Sequence, residues 1–173
     1  MVNQMVGNFL HRDWVVMGVS GCGKSSIGAR LAEALGVPFL EGDHFHPAAN
    51  VAKMSAGVAL TDADRVDWLA ALQVALRDAH AMAGGVVLSC SALKRRYRDQ
   101  LRAATPDLRF AHLDGDRALI AERMRARAGH YMPPSLLDSQ LRDLEPLQTD
   151  EAGATLDLCQ TQEALVGQLL QLA

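Results

Sequence analysis

Eight residues near the start of the chain restrict its fold more than any other feature. Gly18-Val19-Ser20-Gly21-Cys22-Gly23-Lys24-Ser25 fits the pattern G-x-x-x-x-G-K-[ST] at every fixed position. Glycines at these spacings let the backbone curl until successive N–H groups point inward. Such a loop needs a strand before it and a helix after it, because the positive end of the helix dipole reinforces an anion site. Both are legible. Trp14-Val15-Val16-Met17-Gly18-Val19 is an apolar run that ends in the loop, and Lys24 to Leu35 carries Ile27, Leu31, Ala34 and Leu35 at helical spacing before Gly36. The pattern predicts a phosphate cradle of backbone N–H groups from Gly18, Val19, Ser20, Gly21, Cys22, Gly23, Lys24, Ser25 and Ser26. Lys24 would reach the β- and γ-phosphates of ATP, and the Ser25 hydroxyl is placed for Mg2+.

Other readings of the same glycines are weaker. A dinucleotide-binding fingerprint would need a third glycine at position 26, which is Ser26, and has no use for Lys24. A GTPase-type switch would carry N-K-x-D, and no such tetrapeptide occurs. A chance match to the full pattern somewhere in the chain is on the order of 0.6%.

The rest of the chain repeats the alternation of short apolar runs with longer helical patterns. Val37 to Leu40 reads as a second strand. Residues 46–83 read as two helical pieces, broken near Gly57, the second capped by Thr61-Asp62. Val86 to Ser91 is a third strand, Ala92 to Ala104 a basic helix, and Arg109 to Leu113 a fourth strand. A helix follows Asp114-Gly115-Asp116, breaks at Gly129 to Pro134 and resumes from Ser135 to Leu144. Ala154 to Cys159 is a fifth strand, and Thr161 caps a last helix; the polar stretch Glu145 to Gly153 receives no element. The expected fold class is α/β: a three-layer αβα sandwich on a parallel five-stranded sheet, with right-handed crossovers. Ligands then belong at the carboxyl ends of the strands, where Glu41, Asp43, Ser89, Ser91 and Asp114 fall.

With 173 residues, 49% hydrophobic and 21% charged, the chain is sized for one domain with its own core. The net charge of −3 offers no electrostatic footprint for nucleic acid. No run of about 18 apolar residues suggests a membrane span. Residues 1–13 read as a leader without the charged start and apolar stretch of a signal peptide. Cys22, Cys90 and Cys159 show no paired spacing, which fits a reducing, cytoplasmic setting.

Four further segments, together with the P-loop, resemble the gluconate kinase family. They are Glu41-Gly42-Asp43-His44-Phe45-His46-Pro47-Ala48-Ala49-Asn50-Val51-Ala52-Lys53-Met54; Leu60 through Leu69; Cys90 through Asp99; and Arg123 through Glu145, with Arg127, His130, Ser139-Gln140 and Leu144-Glu145-Pro146. The resemblance implies a nucleoside-monophosphate-kinase type of fold with sheet order 2-3-1-4-5. It also implies transfer of the ATP γ-phosphate to the 6-hydroxyl of D-gluconate with Mg2+, and a homodimer. The chain departs from the family pattern at Glu41, often Asp, and at Ala59 and Asp67, often Pro.

Phosphoryl transfer asks a protein mainly to position reactants and neutralise charge. Asp43, at the end of the second strand, is the candidate acceptor of the sugar hydroxyl proton; the resemblance carries that role, and the plain alternative is a helix cap. Glu41, by strand alternation on the side of Asp43, could hold Mg2+ through water. Arg123 and Arg127 share a helix face and, with His130 beyond Gly129, would form a cationic lid over 123–137. By resemblance Arg123 would lie near the adenine and Arg127 near the phosphates, with Lys24, Asp43 and Arg127 catalytic; a solvated basic helix is the alternative. An open-chain polyol carboxylate needs cations and hydrogen-bond donors, and His46, Lys53, Arg65, Lys94 and Arg98 are the candidates, the first three on an acceptor-binding insertion over 44–83. His44 and Asn50 read as loop and capping residues, and Met54 and Trp68 as packing. Cys22, beside a helix N-terminus, reads as a thiol that nucleotide would shield from alkylation. The alternatives are a different small acceptor, shikimate or a nucleoside monophosphate, and a non-catalytic ATP-binding module.

Overall fold

The structure, a computed structural model, describes residues 11–127 and 133–173. Five strands form one parallel sheet: β1 Asp13–Met17, β2 Phe39–Glu41, β3 Val86–Ser89, β4 Arg109–Asp114 and β5 Gly153–Asp157. Their spatial order is β2-β3-β1-β4-β5, as the resemblance implied. Among the described residues seven α-helices accompany them: α1 Lys24–Leu35, α2 Ala48–Ser55, α3 Val66–Ala83, α4 Arg95–Arg102, α5 Arg117–Ala126, α6 Pro134–Asp143 and α7 Gln162–Leu172. Among the described residues no helix is long and apolar enough to cross a membrane.

The central strand β1 is buried at every position. Its side chains alternate between two cores, as a strand covered on both faces must. Trp14 and Val16 join Ile27, Leu31, Ile120, Leu165 and Leu169 on the α1/α5/α7 side. Val15 and Met17 join Trp68, Leu72, Leu76, Tyr97 and Leu101 on the α3/α4 side. The strand starts one residue before the expected Trp14, at Asp13.

Several boundaries differ from those expected, each for a local reason. The basic helix begins at Arg95 rather than Ala92, because Ala92 has φ 44° and Lys94 is extended. Beyond β2 the chain turns through a 3-10 segment, Gly42–Phe45, so strand alternation does not extend from Glu41 to Asp43. Thr61 does cap the second part of the insertion: its Oγ1 accepts from the Asp64 N–H at 3.2 Å, while the Asp64 carboxylate accepts from the Thr61 N–H at 2.8 Å. Thr161 caps α7 as expected, accepting from the Ala164 N–H at 3.2 Å.

The polar stretch after α6, which carried no assignment, is tied to α4 by arginines. Arg98 and Glu151 are fully buried; Nε and Nη2 of Arg98 donate to the two carboxylate oxygens at 2.7 and 2.8 Å. Arg98 Nη1 also donates to the carbonyls of Ala92 and Leu93, closing the turn before α4. Arg98 therefore does not face a ligand, contrary to its place among the acceptor candidates. Arg95 meanwhile grips Asp150 through two nitrogens at 2.7 and 2.9 Å.

This pairing sets the acid behaviour of the fold. Burial alone would raise the Glu151 carboxyl, but hydrogen bonds from Arg98, the Gln148 N–H and Arg102 outweigh it and hold the group at about 2, below its ordinary 4.5. Its stabilisation is complete above about pH 4.5 and is lost as pH falls toward 2. His112, buried in β4, is pushed below 6.5 by burial, with Asp114 opposing and Arg98 assisting. The unfolded chain binds a proton there that the folded chain resists, so stability also declines as pH falls below 6.5. Glu151→Gln, which strands a buried guanidinium, should cost about 3–5 kcal/mol in denaturant titration at pH 7. His112→Leu should flatten the decline just below pH 6.5 in a melting-temperature series without touching the more acidic one.

Candidate active site

The P-loop emerges at the carboxyl end of β1 and delivers the chain into α1 with Gly23 in a left-handed conformation, φ 87°. Its shape is enforced by packing. A Cβ at Gly18 would lie 2.8 Å from Cys22 Sγ and 2.9 Å from the Leu113 carbonyl oxygen, so only glycine fits there. The Gly18 N–H donates to Ser91 O at 3.3 Å, joining the loop to the end of β3. Lys24 Nζ donates back to Val19 O at 3.0 Å, leaving the ammonium over the loop rather than in the core.

A cavity opens on each side of this loop. One, about 340 Å3, lies between Gly21, Gly23 and Ser26 of the loop, Arg123 and Arg127, and the turn at Gln160–Gln162. Arg123 Nη2 donates to Leu158 O at 2.7 Å, which fixes its guanidinium along that wall. Arg127 follows the last residue of α5 in an extended conformation, so the two arginines meet at the cavity without sharing a helix turn. His130 lies outside the described residues.

The other cavity, about 100 Å3, brings together Lys24, Asp43, His46, Arg65, Trp68 and Gln140. Asp43 reaches it because the turn after β2 is pressed against β3: a Cβ at Gly42 would sit 2.2 Å from Ser89 O. Since α2 has Pro47 at its N-cap with no side-chain cap hydrogen bond, Asp43 is not serving as a helix cap. Arg65 is 8% exposed, held by Leu60 O at 2.9 Å and the Tyr97 hydroxyl at 3.5 Å. Among the described residues no carboxylate lies within salt-bridge distance of it. A buried cation with only neutral partners favours an anion at the cavity.

Two expected acceptor cations are engaged elsewhere. Lys53 Nζ donates to both Asp64 oxygens at 2.7 and 2.9 Å, and Lys94 Nζ donates to Asp62 at 3.0 Å. Asp62 also receives Arg96 and the Tyr97 hydroxyl. Neither lysine lines the cavity, because the i+3 capping geometry and the approach of α4 each supply a nearer carboxylate. Glu41 accepts from the Ser89 hydroxyl, its register partner on β3. Ser25, Glu41 and Ser89 are oxygen donors of the kind Mg2+ takes. Among the described residues no group of three or more His, Cys, Asp or Glu could hold a metal by itself.

Sequence reading missed the part played by Gln140. Its Oε1 accepts from the Ser20 N–H at 2.7 Å and its Nε2 donates to the Ser20 hydroxyl at 3.1 Å, so α6 holds the P-loop in a two-point grip. Five residues on, the Glu145 carboxylate accepts from the Arg95 N–H and caps α4. Trp68 and Met54, expected as packing, also line the smaller cavity.

Cys22 contradicts its expected reactivity. Its side chain is fully buried and belongs to the α1-side core. Cys90 is buried too, and Cys159 is exposed, with its thiol raised by hydrogen bonding to Asp157. Alkylation of the folded protein should modify Cys159, faster at alkaline pH. Cys22 and Cys90 should label only with denaturant, whether or not nucleotide is present; peptide mapping after timed alkylation reads this directly.

The comparisons with known proteins agree with this architecture. A family model described as "AAA domain" matches residues 14–147. A gluconokinase of Gluconobacter oxydans is 52% identical over 79% of this chain and 77% of its own, and a thermosensitive gluconokinase of Escherichia coli is 46% identical over 80% and 74%. A crystal structure of a gluconokinase from Sinorhizobium meliloti superimposes with a TM-score of 0.85 at 47% identity, over 94% of this chain and 91% of that one. A shikimate kinase from Acinetobacter baumannii, at 21% identity and a TM-score of 0.61, shares the fold. With a P-loop between two cavities and identities of this size over most of both chains, the chain belongs to the gluconokinase family.

Proposed function

We propose that this chain transfers the γ-phosphate of ATP to the 6-hydroxyl of D-gluconate. The observation that carries the reading is the acceptor-side cavity: it holds the P-loop lysine and Asp43 together with a buried guanidinium that lacks an acidic partner among the described residues. ATP belongs in the larger cleft, with its phosphates on the backbone N–H groups of Gly21 through Ser26 and its base toward Arg123. Lys24 and Arg127 neutralise the transferred group, and Asp43 orients the acceptor hydroxyl and takes its proton. Mg2+, held by Ser25 with Glu41 behind a water, would spread the phosphate charge.

Arg65 is the best-placed partner for the gluconate carboxylate, with His46 and Gln140 toward the hydroxyls. Lys53 and Lys94 serve by holding the 44–83 insertion in place through Asp64 and Asp62. His130 and the 123–137 segment act as the lid. We further infer a homodimer and a cytoplasmic setting, which the family resemblance and the unpaired cysteines support.

In an ADP-release assay, D-gluconate should outperform glucose, shikimate, AMP and CMP. Glucose lacks the carboxylate and would leave the buried Arg65 unpaired, a penalty that a site built around a charge enforces strongly. Turnover with shikimate or AMP and none with gluconate would replace the acceptor while leaving the kinase. Arg65→Leu should raise the gluconate KM by about 10- to 100-fold, the range for a lost charged hydrogen bond, with the ATP KM unchanged. Asp43→Asn should lower kcat with little effect on ATP binding. An unchanged kcat accompanied by a lower melting temperature would assign Asp43 a structural role instead.

A further inference from the structure

The acceptor-side cavity contains a histidine whose protonation is set from behind it. His46 lies flat against Trp68, with ring centroids 4.3 Å apart and 12° between planes. Trp68 is fixed in turn, since its Nε1 donates to Gly42 O at 2.8 Å. Asn50, in the first turn of α2, is 4% exposed and is not part of the cavity wall. Its Nδ2 donates to Asp64 O at 2.7 Å. That bond settles which end of the amide is nitrogen, because a carbonyl oxygen accepts only from a donor. The same Nδ2 has a second N–H and lies 3.4 Å from His46 Nδ1. A ring nitrogen facing a donor is the one without a proton, so the imidazole proton falls on Nε2.

We propose that Asn50 is a positioning residue that holds His46 as the neutral Nε2–H tautomer, giving the acceptor cavity an uncharged hydrogen-bond donor beside Asp43. The inference rests on reading this cavity as the acceptor site. Asn50 was expected only as a loop or capping residue. It instead joins α2, the Asp64 turn and the cavity histidine in one half-buried chain of hydrogen bonds.

The surroundings of His46 act in the same sense. Burial disfavours the imidazolium, Asp43 favours it, and Arg65 disfavours it, with a net lowering from 6.5. Lys24, which also lines the cavity, adds a further positive charge. Asp64 contributes its carbonyl here, while its carboxylate is taken up by Lys53 and Thr61. Protonation would turn Nδ1–H against the Asn50 N–H, two donors facing each other. The chemical consequence concerns Asp43. An imidazolium beside it would form an ion pair and weaken the carboxylate as a proton acceptor, whereas a neutral ring leaves Asp43 free for the acceptor hydroxyl. Charge recognition is then left to Arg65, and His46 contributes a directional contact to a hydroxyl or carboxylate oxygen.

The test is a long-range 1H–15N NMR titration of the full chain with labelled histidine. The wild type should show His46 as the Nε2–H tautomer at pH 7, with a midpoint below 6.5. Asn50→Asp places a carboxylate against Nδ1, and the midpoint should rise by about one pH unit or more, as expected for a new adjacent opposite charge. The acid limb of kcat/KM for gluconate should rise with it, while the KM for ATP stays constant. Should that variant fail to fold, the wild-type spectrum and a pair at His46 decide. His46→Gln retains an N–H donor and should keep kcat/KM within about tenfold, whereas His46→Phe retains only the stack and should lose about 100-fold. A wild-type His46 that is Nδ1-protonated or cationic at pH 7 overturns the proposal. So does an unmoved midpoint in folded Asn50→Asp, or a His46→Gln no better than His46→Phe. The NMR readings need no acceptor, so they can fail while gluconate turnover stands, and a correct tautomer without gluconate turnover would remove only the acceptor assignment.

Discussion

A loop that binds phosphate through its backbone cannot use those N–H groups to hold itself together. This constraint organises the molecule around residues 18–25. The donors must point into a cradle, so the loop's shape has to come from what surrounds it. Here the Gly18 and Ser20 N–H groups, expected in the cradle, are instead taken by the Ser91 carbonyl just beyond β3 and by Gln140 of α6, and α5 packs so closely that a Cβ at Gly21 would meet Met124 Cγ at 2.3 Å. The buried Cys22 side chain anchors the loop from below. Each neighbour also borders one of the two cavities, so the same contacts that shape the loop set the distance between nucleotide and acceptor.

The acceptor cavity uses its charges unevenly. Of Lys53, Lys94 and Arg65, the two lysines each have an aspartate within 3.0 Å, whereas Arg65 lines the cavity with carbonyl and hydroxyl partners. The two paired lysines are partly exposed, where ion pairs contribute little to stability and mainly fix orientation. Arg65 is buried, so its lack of an acidic partner among the described residues leaves a preference for an anion that solvent cannot screen. Next to it lie His46, half-buried and stacked on Trp68, and an exposed Asp43.

Behind the site, α4 acts as a strut. Its first N–H is capped by Glu145, its outer arginine holds Asp150, and its buried Arg98 joins the turn after β3 to Glu151. The segment from Gln140 to Glu151 thereby touches the P-loop, the start of α4 and the centre of the α4 face in succession. The specific spacing around Ser139-Gln140 and Leu144-Glu145-Pro146 acquires a physical meaning: one residue for the loop and another for the strut.

The amino-acid sequence by itself determined the P-loop, the αβα layering and which segments are strands, although β1, β3 and β5 end two residues before the expected Val19, Ser91 and Cys159, and β2 and β4 one residue after the expected Leu40 and Leu113. Each rests on local information: glycine spacing, the alternation of apolar runs, and caps such as Thr61 and Thr161. The strand order followed only from resemblance, since periodicity says nothing about which strands are neighbours. Tertiary structure decided which charges face a ligand. Arg65, Lys53, Lys94 and Arg98 look alike as basic residues in polar surroundings. Their fates were settled by partners 11, 32 and 53 positions away for Lys53, Lys94 and Arg98, and for Arg65 by burial among neutral groups. The same holds for Asn50, whose proposed role depends on the Asp64 carbonyl, 14 positions on, reaching it at 2.7 Å. Hydrogen bonds and ion pairs act over a few ångströms in space, whereas sequence patterns register neighbours only within a turn or a strand, so pairings across the fold become visible only once the chain has closed on itself.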